Sequence, residues 1–110
     1  MSDHHRPLGG FEQAVLLALV SLKDEAYGVS IRNELERQLG RSVSFGAVYT
    51  TLDRLLAKGL VNAHLGEPTS ERGGRAKKFF TIDPRGLEAL RHTRHATQAL
   101  WAITPLPRTQ

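Results

Sequence analysis

The chain of 110 residues is 40% hydrophobic and 24% charged, the profile of one folded globular domain rather than a disordered chain. It holds no cysteine, which excludes disulfides, thiolate metal sites and cysteine nucleophiles and fits a reducing cytoplasm. Its net charge of +4 and pI near 10.0 point to an acidic partner, of which nucleic acid is the commonest.

Residues 1–9, within MSDHHRPLGG, have no apolar run behind their charges and read as a tail that addresses the chain neither to export nor to a membrane. A helix is expected from Phe11 to Leu22. Its stretch AVLLALVSL is half a membrane span and is apolar on every side rather than along one stripe, so both faces need cover. One face can pack on its own domain. A chain this short buries only about 60 to 70% of its unfolded surface, so a second copy is expected on the other. Val15, Leu16 and Leu19 are the expected contacts of that homodimer.

KDEA breaks the run, and Tyr27 to Leu39 follows as an amphipathic helix with Val29 or Ile31, Leu35 and Leu39 on one face. Gly40 stands where a left-handed C-cap is wanted. Ser44 is the N-cap expected for a third helix reaching Lys58, with Val48, Leu52, Leu55 and Leu56 inward and Gly59 ending it. Two short helices joined by a tight turn make a helix-turn-helix. Leu60 to Leu65 and Lys77 to Ile82 then read as two strands, with Val61, Ala63 and Leu65 alternating on one and Phe80 and Ile82 on the other, around the long tip GEPTSERGGRA. Asp83 and Pro84 supply an N-cap and a first-turn proline for a last helix through Leu87, Leu90, Ala96, Leu100 and Trp101, which Pro105 and Pro107 stop.

The expected fold is therefore mainly α with a small β-hairpin. A winged helix-turn-helix spans residues 10–83, one C-terminal dimerisation helix spans 84–103, and a tail spans 104–110. Arg91 and Arg94 interrupt the apolar stripe of the last helix, so it is too weak to stand alone. Packing against the first helix of a partner would answer both irregularities, and Leu90, Leu100 and Trp101 join the expected dimer interface.

On the third helix Ser44, Gly46, Ala47, Thr50 and Arg54 fall away from the apolar face. Short side chains let a helix approach base edges in a major groove while an arginine reaches a guanine or a phosphate; an ordinary solvated face is the alternative. In the hairpin tip, Gly73 and Gly74 permit positive φ and leave the backbone bare, Arg72 and Arg75 can enter a minor groove or grip phosphates, and Lys77 and Lys78 add charge. A solvated, charged turn is the alternative. Phe79 and Phe80 are expected in hairpin packing. The pairs His4/His5 and His92/His95 lack a thiol or carboxylate beside them and make a poor metal site. No Walker loop, G-x-S-x-G or H-E-x-x-H occurs, so neither an enzyme nor a cofactor is expected.

Between Leu8 and Leu90 the sequence closely resembles the PadR-like bacterial transcriptional regulators, at AYG (26–28), GAVYTTLDRL (46–55), KGLV (58–61) and RGGR (72–75). The resemblance implies a homodimeric, DNA-binding repressor of the short subfamily, which dimerises through its single C-terminal helix and its first helix. Double-stranded DNA would be read as a pseudo-palindromic operator. Tyr49 corresponds to a tyrosine lying beside the DNA backbone in similar proteins. Some similar proteins stack flat aromatic ligands on a tryptophan at the dimer centre, which makes Trp101 a candidate effector contact; interface packing is its plainer role. The rival functions are a winged-helix adaptor meeting an acidic protein and a nonspecific DNA-binding protein.

Overall fold

The computed structural model describes residues 6–66 and 76–109. Helix α1 spans Gly10–Leu22 and begins where the Glu12 carboxylate accepts the Gly9 N–H at 3.3 Å. A single 3-10 turn, Lys23–Glu25, interrupts the chain before α2, Gly28–Leu39. The Ser30 hydroxyl accepts the Tyr27 N–H at 2.9 Å and so serves one of the amide donors that a helix start leaves unpaired. Gly40 closes α2 at φ 68, a left-handed conformation that costs a residue with a Cβ, and its N–H reaches the Glu36 carbonyl at 2.9 Å.

Helix α3 spans Phe45–Ala57, and the Ser44 side chain accepts the Ala47 N–H as its cap. Strands β1, Val61–Leu65, and β2, Lys78–Ile82, pair antiparallel from Val61 opposite Ile82 to Leu65 opposite Lys78. The hairpin is tied to the helices on one side. Tyr27 bridges to Phe79 and the Phe80 N–H bonds the Ala26 carbonyl at 2.8 Å. Helix α4, Pro84–Ile103, starts with proline in its first turn, and the Asp83 side chain accepts the Arg85 N–H.

This order is a winged helix-turn-helix with one appended helix. Its core lies where α1, α2, α3 and β2 meet, with Leu16, Ile31, Leu35, Leu52 and Leu55 fully buried. Each such side chain stabilises the fold by roughly 1.5–3 kcal/mol.

Three residues expected at a subunit interface lie elsewhere. Val15, Leu16 and Leu19 belong to the chain's own core and have almost no surface left to offer a partner, whereas Leu17 and Val20 are the exposed apolar residues of α1. A helix with apolar residues all round gives no stripe from which to choose the inward face, and here α2 and α3 decide it. The alternation expected on β1 also stops early: Val61 is buried, but Ala63 and Leu65 are exposed, because β2 is the strand that packs on the helices, through Phe79 and Phe80, and β1 is the outer one. On α2, Ile31 and Leu35 face the core, while Val29 and Leu39 remain exposed.

Candidate nucleic-acid interface

Successive residues of a helix turn by about 100°, so the burial of Val48, Leu52 and Leu55 turns Gly46, Ala47, Thr50 and Arg54 outward, and all four are exposed. The centre of the outward face has little bulk. Its apolar side chains are no larger than alanine, with the exposed rings of Phe45 and Tyr49 along one edge, and the Ser44 cap at its start is also exposed. Asp53 shares the face and sets a negative charge next to Arg54.

Arg54 faces a carboxylate. Its Nε lies 3.5 Å from Glu12 Oε2 as an ion pair, and Lys58 Nζ hydrogen-bonds the same oxygen at 3.0 Å. Burial pushes the Glu12 carboxyl up, but the Lys58 ammonium, the Gly9 N–H and Arg54 together bring it below the usual glutamate range.

Tyr49, at the edge of α3, lies across the start of α2, where a Cβ on Gly28 would run into its hydroxyl. Gly28 is therefore the residue that lets the ring lie there. Tyr49 also stacks on Phe45, with centroids 6.4 Å apart, and the Arg32 guanidinium sits 4.6 Å over the Phe45 ring. Each residue of AYG meets a distant part of the chain: Ala26 is fully buried with its carbonyl accepting the Phe80 N–H, the Tyr27 ring meets Phe79 and Lys77, and bare Gly28 admits Tyr49.

Between α2 and α3 a basin of about 740 Å³ is lined by Phe11, Arg32, Glu36, Arg41, Ser42, Val43, Ser44 and Ala47. Glu36 accepts the Val43 N–H at 2.8 Å and an Arg32 nitrogen at 3.4 Å. The Val43 N–H first and then Arg32 hold its carboxyl below the ordinary range. This fixes the turn. Arg41 beside it is exposed and adds a cation next to the start of α3.

The wing is described at its base alone. Lys77 Nζ lies 4.2 Å over the Tyr27 ring and Lys78 Nζ 5.7 Å from the Phe80 centroid, both side chains exposed. Phe79 meets Tyr27 edge-on at 5.6 Å and stacks with His64 at 5.8 Å, while Phe80 is buried, so both rings take part in packing. Arg72, Gly73, Gly74 and Arg75 lie outside the described residues, as do His4 and His5.

On α4, Leu90 packs against the core, whereas Leu100 and Trp101 are 63% and 62% exposed. Leu100, Trp101, Thr104 and Leu106 form a shallow groove of about 250 Å³. Among the described residues no cluster of three or more His, Asp or Glu side chains could hold a metal ion.

The residues that bring order to this surface without having been expected on it are Glu12, Gly28, Arg32 and Arg41. The first three act through contacts with other helices, for which local sequence carries no signal; Arg41 could have been noticed as a cation in the helix-turn-helix connection.

No curated protein sequence matches the chain significantly. Among solved structures it is similar to RosR of H. salinarum, with 28% identity and a TM-score of 0.66 over 91% of this chain and 83% of that one. A PadR-like transcriptional regulator of Bacillus cereus shares the fold at 24% identity and a TM-score of 0.67, with 84% of each chain covered. Bacillus subtilis PadR, solved in complex with operator DNA, shares it at 20% identity and a TM-score of 0.63, over 91% of this chain and 52% of that one. The model of the transcriptional regulator PadR-like family matches residues 16–92, most of the helix-turn-helix, the hairpin and the first half of α4, and the chain belongs to that family.

Proposed function

We propose that the chain is a homodimeric, sequence-reading DNA-binding repressor. Helix α3 enters the major groove through Gly46, Ala47, Thr50 and Arg54, with the Ser44 cap at its leading end and Tyr49 against the backbone. The wing, with Arg72, Gly73, Gly74 and Arg75 at its tip and Lys77 and Lys78 at its base, meets flanking phosphates or the minor groove. The observation that carries this reading is the division of α3 into a fully buried apolar face and an exposed face of small and hydrogen-bonding residues, the form a helix needs to reach base edges. The PadR neighbour found on operator DNA supports it.

The dimer joins the exposed apolar end of α4 to Leu17 and Val20 of the partner's α1. Two copies related by a two-fold axis read a pseudo-palindrome with half-sites a helical turn or a multiple of it apart. A flat aromatic effector would lie against Trp101 between the copies, and would release DNA only by favouring one spacing of the two α3 helices over the other. Operator binding puts the protein with the chromosome, in the cytoplasm; no helix among the described residues is long and apolar enough to cross a membrane.

The test is selection from a random duplex pool at about 150 mM salt, where purely electrostatic attachment is weakened. An enriched inverted repeat supports a dimeric sequence reader. Retention without enrichment leaves a nonspecific DNA-binding protein, and no retention turns the search to an acidic protein partner.

A further inference from the structure

We propose that Glu12, on α1 and outside the helix-turn-helix, is a specificity-determining residue: it presents Arg54 in one orientation and keeps Arg54 and Lys58 from gripping phosphates indiscriminately. This rests on the DNA-reading surface proposed above and deepens it.

Arg54 on α3 and Lys58, the residue that caps its C-terminal end, are one turn apart and within reach of a single carboxylate. Glu12 Oε2 meets both, at 3.5 Å and 3.0 Å, while Oε1 is fixed by the Gly9 N–H. The anchor is sheltered and the cations are not. The Glu12 side chain is 13% exposed against 56% for Arg54 and 43% for Lys58. An acid tied on both oxygens costs little further entropy to hold in place, unlike a pair of long, free surface side chains.

The manner of contact matters. Arg54 meets Glu12 through Nε, and no described side chain engages its two terminal nitrogens. Those nitrogens are the fork that pairs with guanine O6 and N7. Glu12 thus steadies the stem of the arginine and leaves its reading end available. The same carboxylate offsets the positive charge that would otherwise attract any phosphate, and Asp53 on the exposed face adds to this. With Glu12 neutral, each released cation could neutralise a phosphate of any sequence, which steepens the dependence of log affinity on log salt by roughly 0.9 per phosphate.

Glu12→Gln removes the charge and retains an oxygen for the Gly9 N–H, so the start of α1 is kept. Binding to the selected operator and to random duplex is measured across about 50 to 300 mM salt. For the variant, affinity for random DNA rises, the salt slope steepens by roughly one to two, and the ratio of operator to random affinity falls about tenfold, the order of one oriented arginine contact. Arg54→Lys in the unmodified protein lowers that ratio to a similar degree, and the double variant loses less than the product of the two single losses, since both variants remove the same arginine contact. Equal slopes and ratios for Glu12→Gln and the unmodified protein, at equal thermal midpoints, overturn the proposal. An unchanged ratio for Arg54→Lys overturns it independently, even if Glu12→Gln does not fold. An unmodified protein that prefers no sequence removes the DNA-reading surface itself, and that outcome is visible before any variant is made.

Discussion

Helix α3 exposes Gly46, Ala47, Thr50 and Arg54 while Val48, Leu52 and Leu55 behind them are fully buried; the last turns of α4 instead expose Leu100, Trp101 and Ile103, the last at 77%. Water covers the small and polar residues at the centre of the first surface at little cost, which suits the polar ligand proposed for α3. It does not cover the second so readily, because a contiguous apolar patch left in water forfeits the stabilisation its burial would give. The outward face of α3 is stable in water as it stands, whereas the end of α4 leaves apolar surface uncovered, which the proposed dimer would cover.

The sharpest way to break the contrast is to damage each helix on the side that holds it. Leu52→Ala empties a fully buried site in α3 and should cost about 2–5 kcal/mol in urea unfolding, the range for leucine truncation in a core. Leu100→Glu should leave that unfolding curve within about 0.5 kcal/mol of its original position once dimer dissociation is allowed for, as an exposed substitution does. Its effect falls on assembly: light scattering should give the mass of one copy, and operator affinity should drop by roughly 100-fold as two linked half-sites become one. A dimer that survives Leu100→Glu would place the interface elsewhere.

Much of this arrangement could be read from residues in order. Ser44, Gly40, Asp83 and Pro84 mark helix ends by their own chemistry, and the observed bounds fall within a residue or so of the expected ones. What local sequence did not carry is which parts of the chain meet. Val15, Leu16 and Leu19 could not be told from Leu17 and Val20 on an all-apolar helix. Glu12 carries no local sign of its role because Lys58, its partner, is 46 positions away. Gly28 was legible as part of a family motif, but its reason, the Tyr49 hydroxyl lying against it, exists only after α2 and α3 have docked.

A smaller effect sharpens the account of α3 itself. Ser44→Ala removes the oxygen that accepts the Ala47 N–H at 3.1 Å and should cost about 1 kcal/mol of stability. Because Ser44 also stands at the leading end of the outward face, its loss should weaken operator binding beyond the change in folded fraction. An equal loss in both measurements would make it a cap and nothing more.

The smallest effect is the dependence on acidity, and it also separates the two helices. Glu12, Glu36 and Asp83 all have carboxyls held below their ordinary range, Glu36 chiefly by the Val43 N–H and Asp83 chiefly by the Arg85 N–H. A carboxyl whose folded pKa is depressed releases its proton more readily when folded. Its contribution is therefore fully present above the unfolded value and is lost as the pH falls through the folded one. The thermal midpoint should be level from neutral pH down to about 5 and then decline toward about 3. Glu12→Gln should make that decline shallower, since the glutamine has no proton to gain. Glu12 and Glu36 tie α3 and its preceding turn to α1 and α2, Asp83 joins β1 to the first turn of α4, and α4 beyond Glu88 has no carboxylate. The acid limb of the curve therefore reports on the helix-turn-helix, the hairpin and the start of α4 but not on the exposed end of α4, and Leu100→Glu, examined with its new carboxyl in solvent, should leave its midpoint pH where it was.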